Sequence, residues 1–178
     1  MKSNEVLTKE QQEAITDAIG NAEKNTSGEI RIHLDDICQG NPVKRAEEVF
    51  MRLGMNRTAQ RNGVLIYVAC ESKVFAIIGD KGINDLVPDG FWNDISAGMA
   101  NAFRKGDFAE GLETAVRKVG EKLKAFFPYT SDDVNEQPDE ISFSSGHRTN
   151  GSPFPRDQFR KGWLMIMPES FHKDRLFH

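Results

Sequence analysis

Cysteine is scarce in this chain: Cys38 and Cys70 are the only two among 178 residues. Two thiols make neither a disulfide framework nor a zinc ligand set. Cys70 ends an apolar run and reads as a small core residue. Long hydrophobic runs are missing too, since none approaches the roughly 18 residues that a membrane-spanning helix requires. Met1 to Glu13 is polar and has no charged-then-apolar leader, so a cytoplasmic, monomeric protein without membrane insertion is expected. Nor is there an excess of basic charge, the formal net charge being −4. From Ser144 to His178 there are six Lys/Arg and three Asp/Glu, leaving 17 basic and 24 acidic residues, a balance of −7, ahead of it. That acidic front argues against nucleic acid, whose phosphates need a basic footprint, and suits a cation as partner.

Several catalytic signatures are absent. A cysteine phosphatase needs an arginine six positions after its nucleophile, so that one loop both attacks and cradles the phosphate. Cys38 has Lys44 there and Arg45 one step beyond, which misorients the cradle. Gly-x-x-x-x-Gly-Lys-Ser/Thr, Gly-x-Gly-x-x-Gly, a serine elbow and His-Glu-x-x-His do not occur. Without a nucleophile–base pair, any catalysis would have to run through a metal ion that activates water.

The patterning that is present predicts an α/β fold. Thr8 and Gln11 form a capping box, and Ile15, Ala18, Ile19 and Ala22 follow at helical spacing. Glu29 to Leu34 alternates, with Ile30, Ile32 and Leu34 inward and His33 outward as a surface residue. Asn41-Pro42 opens a second helix with Val43, Ala46, Val49, Phe50 and Leu53 on one face. Gly63 to Cys70 is continuously apolar, as in a strand covered on both sides, and Glu71 to Lys73 turns it back into Val74 to Ile78. Helices are predicted over about Phe91 to Lys105 and again after Asp107, where Phe108, Leu112, Ala115, Val119, Leu123 and Phe126 form an apolar stripe. These aromatic stripes read as core.

The richest stretch runs from Phe75 to Asp89, where an apolar strand enters a loop of carboxylates, glycines and an asparagine. Gly79 and Gly82 suggest positive φ and a tight fold. Asp80, Asn84, Asp85 and Asp89 offer the oxygen ligands that hard cations prefer, although the spacing is not that of an EF-hand. The plainer alternative is an acidic capping turn before a helix. A parallel βαβ unit followed by a hairpin brings Ser27-Gly28-Glu29, Arg61-Asn62-Gly63 and Gly79-Asp80 to one sheet edge. The candidate metal ligands are therefore Glu29, Asp80, Asn84, Asp85 and Asp89, lined by Arg61, Asn62 and Lys81. Asp35 and Asp36, at the opposite edge, rank second because they read as a solvated strand end.

Beyond Phe127 the periodicity stops. Residues 1–127 form the expected domain and 128–143 an acidic extension. Residues 144–178, rich in Ser, Gly, Pro and Arg with an isolated apolar Trp163 to Met167, read as a disordered or foreign tail.

Four blocks, Ser27-Gly-Glu-Ile-Arg31, Arg61-Asn-Gly-Val-Leu65, Gly79-Asp-Lys-Gly-Ile83 and Phe103 to Gly111, together resemble the TPM domain family in order and spacing, above all its short bacterial members. The resemblance implies a Rossmann-like three-layer α/β/α sandwich with a small mixed sheet, and binding of divalent cations, calcium first and magnesium second. Some plant relatives are described as acid phosphatases and others act beside membrane-protein complexes. The chain departs from many relatives in reading Gly79-Asp80-Lys81-Gly82, where they have an aromatic residue between the glycines. The leading expectation is a non-catalytic, cation-binding module that presents a surface to a protein partner. The alternatives are a metal-dependent acid phosphatase, or an assembly factor or chaperone for protein complexes.

Overall fold

A computed structural model describes residues 2–129, 141–147 and 164–165. Its centre is a five-stranded mixed sheet in the order β4-β1-β2-β3-β5. The strands are β1 (Glu29–Cys38), β2 (Gly63–Ala69), β3 (Val74–Gly79), β4 (Ser142–His147) and β5 (Leu164–Met165). β1 runs parallel to β2 and to β4, β2 pairs antiparallel with β3, and β3 runs parallel to β5. The parallel βαβ unit and the hairpin thus agree with the sequence expectation.

Helices flank both faces. α1 (Lys9–Glu23), α4 (Phe91–Arg104) and α5 (Phe108–Phe126) pack on the face formed by Ile30, Ile32, Leu34, Val64, Ile66 and Ile77. α2 (Pro42–Arg52) covers the other face, where Val43, Ala46, Val49 and Phe50 meet Leu65, Tyr67, Val74 and Ala76. Burial on both sides is why β2 can be apolar throughout, and all seven of its residues are buried.

The helix ends follow their capping chemistry. The Thr8 hydroxyl accepts from the Gln11 amide, and Gln11 returns the bond to the Thr8 amide. The Asn41 side chain accepts from Val43 N–H, with Pro42 in the first turn of α2. Among the described residues, no helix is long and apolar enough to cross a membrane.

Three local expectations are corrected. β1 extends to Cys38, so Asp35 and Asp36 lie within a strand and not at its solvated end. The stretch after Gly79 contains a short helix, α3 (Lys81–Asn84), with Asp80 as its N-cap, as the plainer alternative had it. Among the described residues, positive φ occurs at Gly54, Gly90, Gly106, Arg61 and Lys73, and not at Gly79 or Gly82. Their need for glycine is close approach. A Cβ on Gly82 would stand 2.1 Å from the Gln60 carbonyl oxygen and 2.6 Å from that of Arg61. One on Gly79 would stand 2.9 Å from Trp92 Cζ2 and 2.8 Å from Asn84 Oδ1.

β4 also bears on the sequence reading of 144–178. Ser142 to His147 pair with β1, from His33 opposite Ser142 to Cys38 opposite His147. Trp163 lies outside the described residues, as do Ile166 and Met167.

Candidate functional site

The predicted edge does assemble. Glu29 is in register with Gly63, and Val64 with Gly79, so the starts of β1 and β2 meet the end of β3. The Asp80 amide donates to the Gly63 carbonyl at 2.9 Å, and the Gly82 amide to the Arg61 carbonyl at 2.8 Å. The latter bond draws Gly82 against the backbone of Gln60 and Arg61, whose carbonyl oxygens leave no room for a side chain.

At this edge Asp80 is already engaged. Arg61 donates through Nε to Oδ2 at 2.7 Å and through Nη2 to Oδ1 at 2.9 Å, a two-pronged ion pair. The Lys81 amide adds a 2.7 Å bond to Oδ1. The carboxylate raises the Arg61 pKa above its usual range. Arg61 holds this position from a left-handed backbone, φ 52°, which a bulky L-residue adopts only when its surroundings enforce it.

The other candidates divide by exposure. Glu29 and Asp80 are buried, whereas Lys81, Asp85 and Asp89 are exposed. Among the described residues, no three His, Cys, Asp or Glu side chains stand together as a ready-made metal cluster. What the edge does offer is two amide oxygens without donors. Asn62 gives its Nδ2 to Ser27 Oγ and Asn84 gives its Nδ2 to the Gly79 carbonyl, but Oδ1 of each is buried and unbonded. A hard cation takes such neutral oxygens together with carboxylates, so the residues present fit one.

The second-ranked pair, Asp35 and Asp36, separates. Asp36 accepts a 2.6 Å bond from the Ser3 amide, which lowers its pKa and ties the N-terminal turn to β1. Asp35 has no exposed surface and is the hub of a buried polar network. Its Oδ2 accepts from Arg45 Nε at 2.8 Å and from the Tyr67 hydroxyl at 2.7 Å. Its Oδ1 lies 3.0 Å from His33 Nε2 and also accepts from the Ser144 hydroxyl. Burial alone would push the carboxyl up, but the bonds from His33, Arg45, Ser144 and Tyr67 outweigh it and hold Asp35 well below the carboxylate range.

His33 is therefore buried, at 5 % exposure, which corrects the outward surface position expected for it. Its Nδ1 lies 2.7 Å from Ser142 Oγ, and its ring stacks on Tyr67 at 6.2 Å between centroids. Asp35 and Ser144 share the ring nitrogen Nε2 while Ser142 meets Nδ1, so Asp35, His33 and Ser142 stand in the order carboxylate, imidazole, hydroxyl, with the carboxylate also held by Arg45 and Tyr67. Burial also pushes the Cys38 thiol up and the Cys70 thiol up to about 12, which keeps both protonated and non-nucleophilic. This network was missed in the sequence, although Tyr67 inside an apolar strand and Arg45 beside an apolar helix stripe were its available signs.

A small mixed sheet flanked by helices, with loop oxygens gathered where two strands begin and a third ends, defines a compact α/β module. The sequence model for the TPM domain matches residues 1–122, and the chain belongs to that family. It is closely related to the BA42 protein of the psychrophilic bacterium Bizionia argentinensis, whose NMR structure is 48 % identical, covering 78 % of this chain and 95 % of that one with a TM-score of 0.72. Two remoter solution structures share the fold alone. The N-terminal domain of a P. gingivalis protein is 22 % identical over 67 % of this chain and 78 % of that chain, with a TM-score of 0.57. The N-terminal domain of cg2496 from Corynebacterium glutamicum is 14 % identical over 83 % and 84 %, with a TM-score of 0.53. No curated protein matches the chain.

Proposed function

We propose that this TPM domain is a non-catalytic module that binds a divalent cation, calcium before magnesium, at the edge shared by Glu29, Asn62 and Asp80–Asp89. The loaded edge would then be a surface offered to a protein partner. One observation carries the reading: the buried, unbonded Oδ1 atoms of Asn62 and Asn84 at the same edge as the Asp80 carboxylate. A buried acceptor left without a donor costs about 1–3 kcal/mol, which a bound cation relieves. Asp80 would supply the anionic oxygen, the two asparagines neutral ones, and Glu29, Asp85 or Asp89 further charge.

The test is a calcium titration of the full chain followed by amide NMR. Resonances of Gly28–Glu29 and Gly79–Asp85 should move together and saturate. No movement at millimolar calcium would end this reading. Hydrolysis of p-nitrophenyl phosphate with magnesium, manganese or calcium, lost in Asp80→Asn, would instead favour a metal-dependent acid phosphatase.

A further inference from the structure

We propose that Arg61 is a built-in competitor for the cation: its guanidinium occupies Asp80 in the empty protein and must swing away before the ion binds. The proposal rests on the cation reading above. Both Asp80 oxygens are taken, by Arg61 Nε at 2.7 Å and Nη2 at 2.9 Å. An incoming dication meets the positive guanidinium on the same carboxylate, and that repulsion favours exchange with it over simple addition to the site.

The two partners are unequal in a way that decides which one moves. The Asp80 side chain is 6 % exposed and that of Arg61 is 53 % exposed. Asp80 is further fixed as the N-cap of α3 through Lys81 N–H. Arg61, by contrast, has water on much of its surface, so its guanidinium is readily hydrated when it leaves. Its backbone stays behind, held by Arg61 N–H to the Thr58 carbonyl at 3.2 Å and by Gly82 N–H to the Arg61 carbonyl at 2.8 Å. Departure of the guanidinium is thus a side-chain rotation with no rearrangement of the loop.

The left-handed backbone supports the same view. A residue at φ 52° would ordinarily be Gly, Asn or Asp, and an arginine is kept there at some cost in strain. From that position its stem projects onto Asp80. When a binding-competent state is populated only part of the time, apparent affinity falls by that fraction. A closed Arg61–Asp80 pair sets the ion concentration at which the edge loads.

The experiment compares the wild type with Arg61→Asn, which tolerates positive φ, and Arg61→Lys, which keeps the charge but loses the fork. Calcium chloride is titrated into each full-length protein, with calorimetry for affinity and the Arg61 Nε–H resonance as a separate reporter. Arg61→Asn should bind roughly three- to tenfold more tightly, with Arg61→Lys between it and the wild type. The wild-type Nε–H signal should move to its solvent-exposed position as calcium saturates. Equal or weaker binding by Arg61→Asn, with an unmoved Nε–H signal, overturns the competitor while leaving the cation site standing. Absence of calcium binding in all three proteins overturns both.

Discussion

Tyr67 donates a 2.7 Å hydrogen bond to Asp35 Oδ2, joining two side chains with no exposed surface on neighbouring strands. The same oxygen accepts from Arg45 of α2, so one carboxylate fastens the helix on this face to the sheet. Such a charge is stable in the interior only while its partners are all present.

Removing partners should therefore be costly in a graded way. Tyr67→Phe deletes one bond to a charged group and should lower stability by about 1.5–3 kcal/mol. Asp35→Ala leaves the buried Arg45 guanidinium with only the more exposed Glu48 carboxylate, 3.3 Å from Nη1, and should cost about 3–5 kcal/mol. Urea unfolding measures both, and a neutral Asp35→Ala would deny the network any energetic weight.

Acid should act through the same residue. Asp35 has a folded-state pKa below the ordinary 3.8, because bonds from His33, Arg45, Ser144 and Tyr67 overcome the opposing effect of burial. The unfolded chain then takes up the proton first. Its stabilisation is complete above the ordinary carboxylate range and is lost progressively as pH falls below about 4 toward the folded-state value. Urea midpoints should fall over this range in the wild type and more shallowly in Asp35→Asn.

Two glycines should respond oppositely to alanine. At Gly82 the new Cβ meets backbone oxygens at 2.1 and 2.6 Å, so α3 must shift, and a loss above about 1 kcal/mol is expected. Gly98 lies in α4 with nothing within 4 Å of its Cβ position, so alanine should stabilise by about 0.5–1 kcal/mol. Thermal melts of the two variants give the signs directly.

Cation linkage should be visible in melting. At a hundredfold excess over its dissociation constant, a bound ion adds about 2.7 kcal/mol. Asp80→Asn should abolish most of that gain. Mutual repulsion of Asp80 with Glu29 and Asp85 would make the same change stabilise the empty protein, but loss of the Arg61 ion pair makes slight destabilisation the expected outcome. Melts in calcium and in chelator would expose either error.

Ending the chain at Ile141 should matter, because it removes the strand paired with β1 and the hydroxyls that meet His33 and Asp35. Each kcal/mol lost lowers Tm by about 4–8 °C in a domain of 60–100 residues and less in a larger one. An unchanged Tm would show that β4 adds no stability.

Much of the fold was legible because periodicity and capping are local. Thr8–Gln11, Asn41–Pro42 and the apolar run of β2 specified their elements without reference to distant residues. The converging edge followed from strand direction alone. The Asp35 network was not legible, since alternation puts His33 and Asp35 on the polar side of β1 and no local rule reports that Arg45, Tyr67 and Ser144 cover it. Gly82 misled for a related reason: its constraint is the carbonyl of Gln60, a contact made through space. The Arg61–Asp80 fork is equally a contact across the sheet edge.

Asp35 and Ser144 are separated by 109 positions, and synthesis runs from the N-terminus. A ribosome therefore releases β1, β2 and β3 long before β4 exists. During that interval the outer rim of β1 offers unpaired amides and carbonyls to any neighbouring chain, a standing invitation to aggregate. The buried charges beside it, Asp35 of β1 and Arg45 of α2, are awkward for a foreign strand to cover, which guards the rim until β4 arrives. Hydrogen-exchange labelling of stalled nascent chains should find β2 and β3 protected before the outer amides of β1.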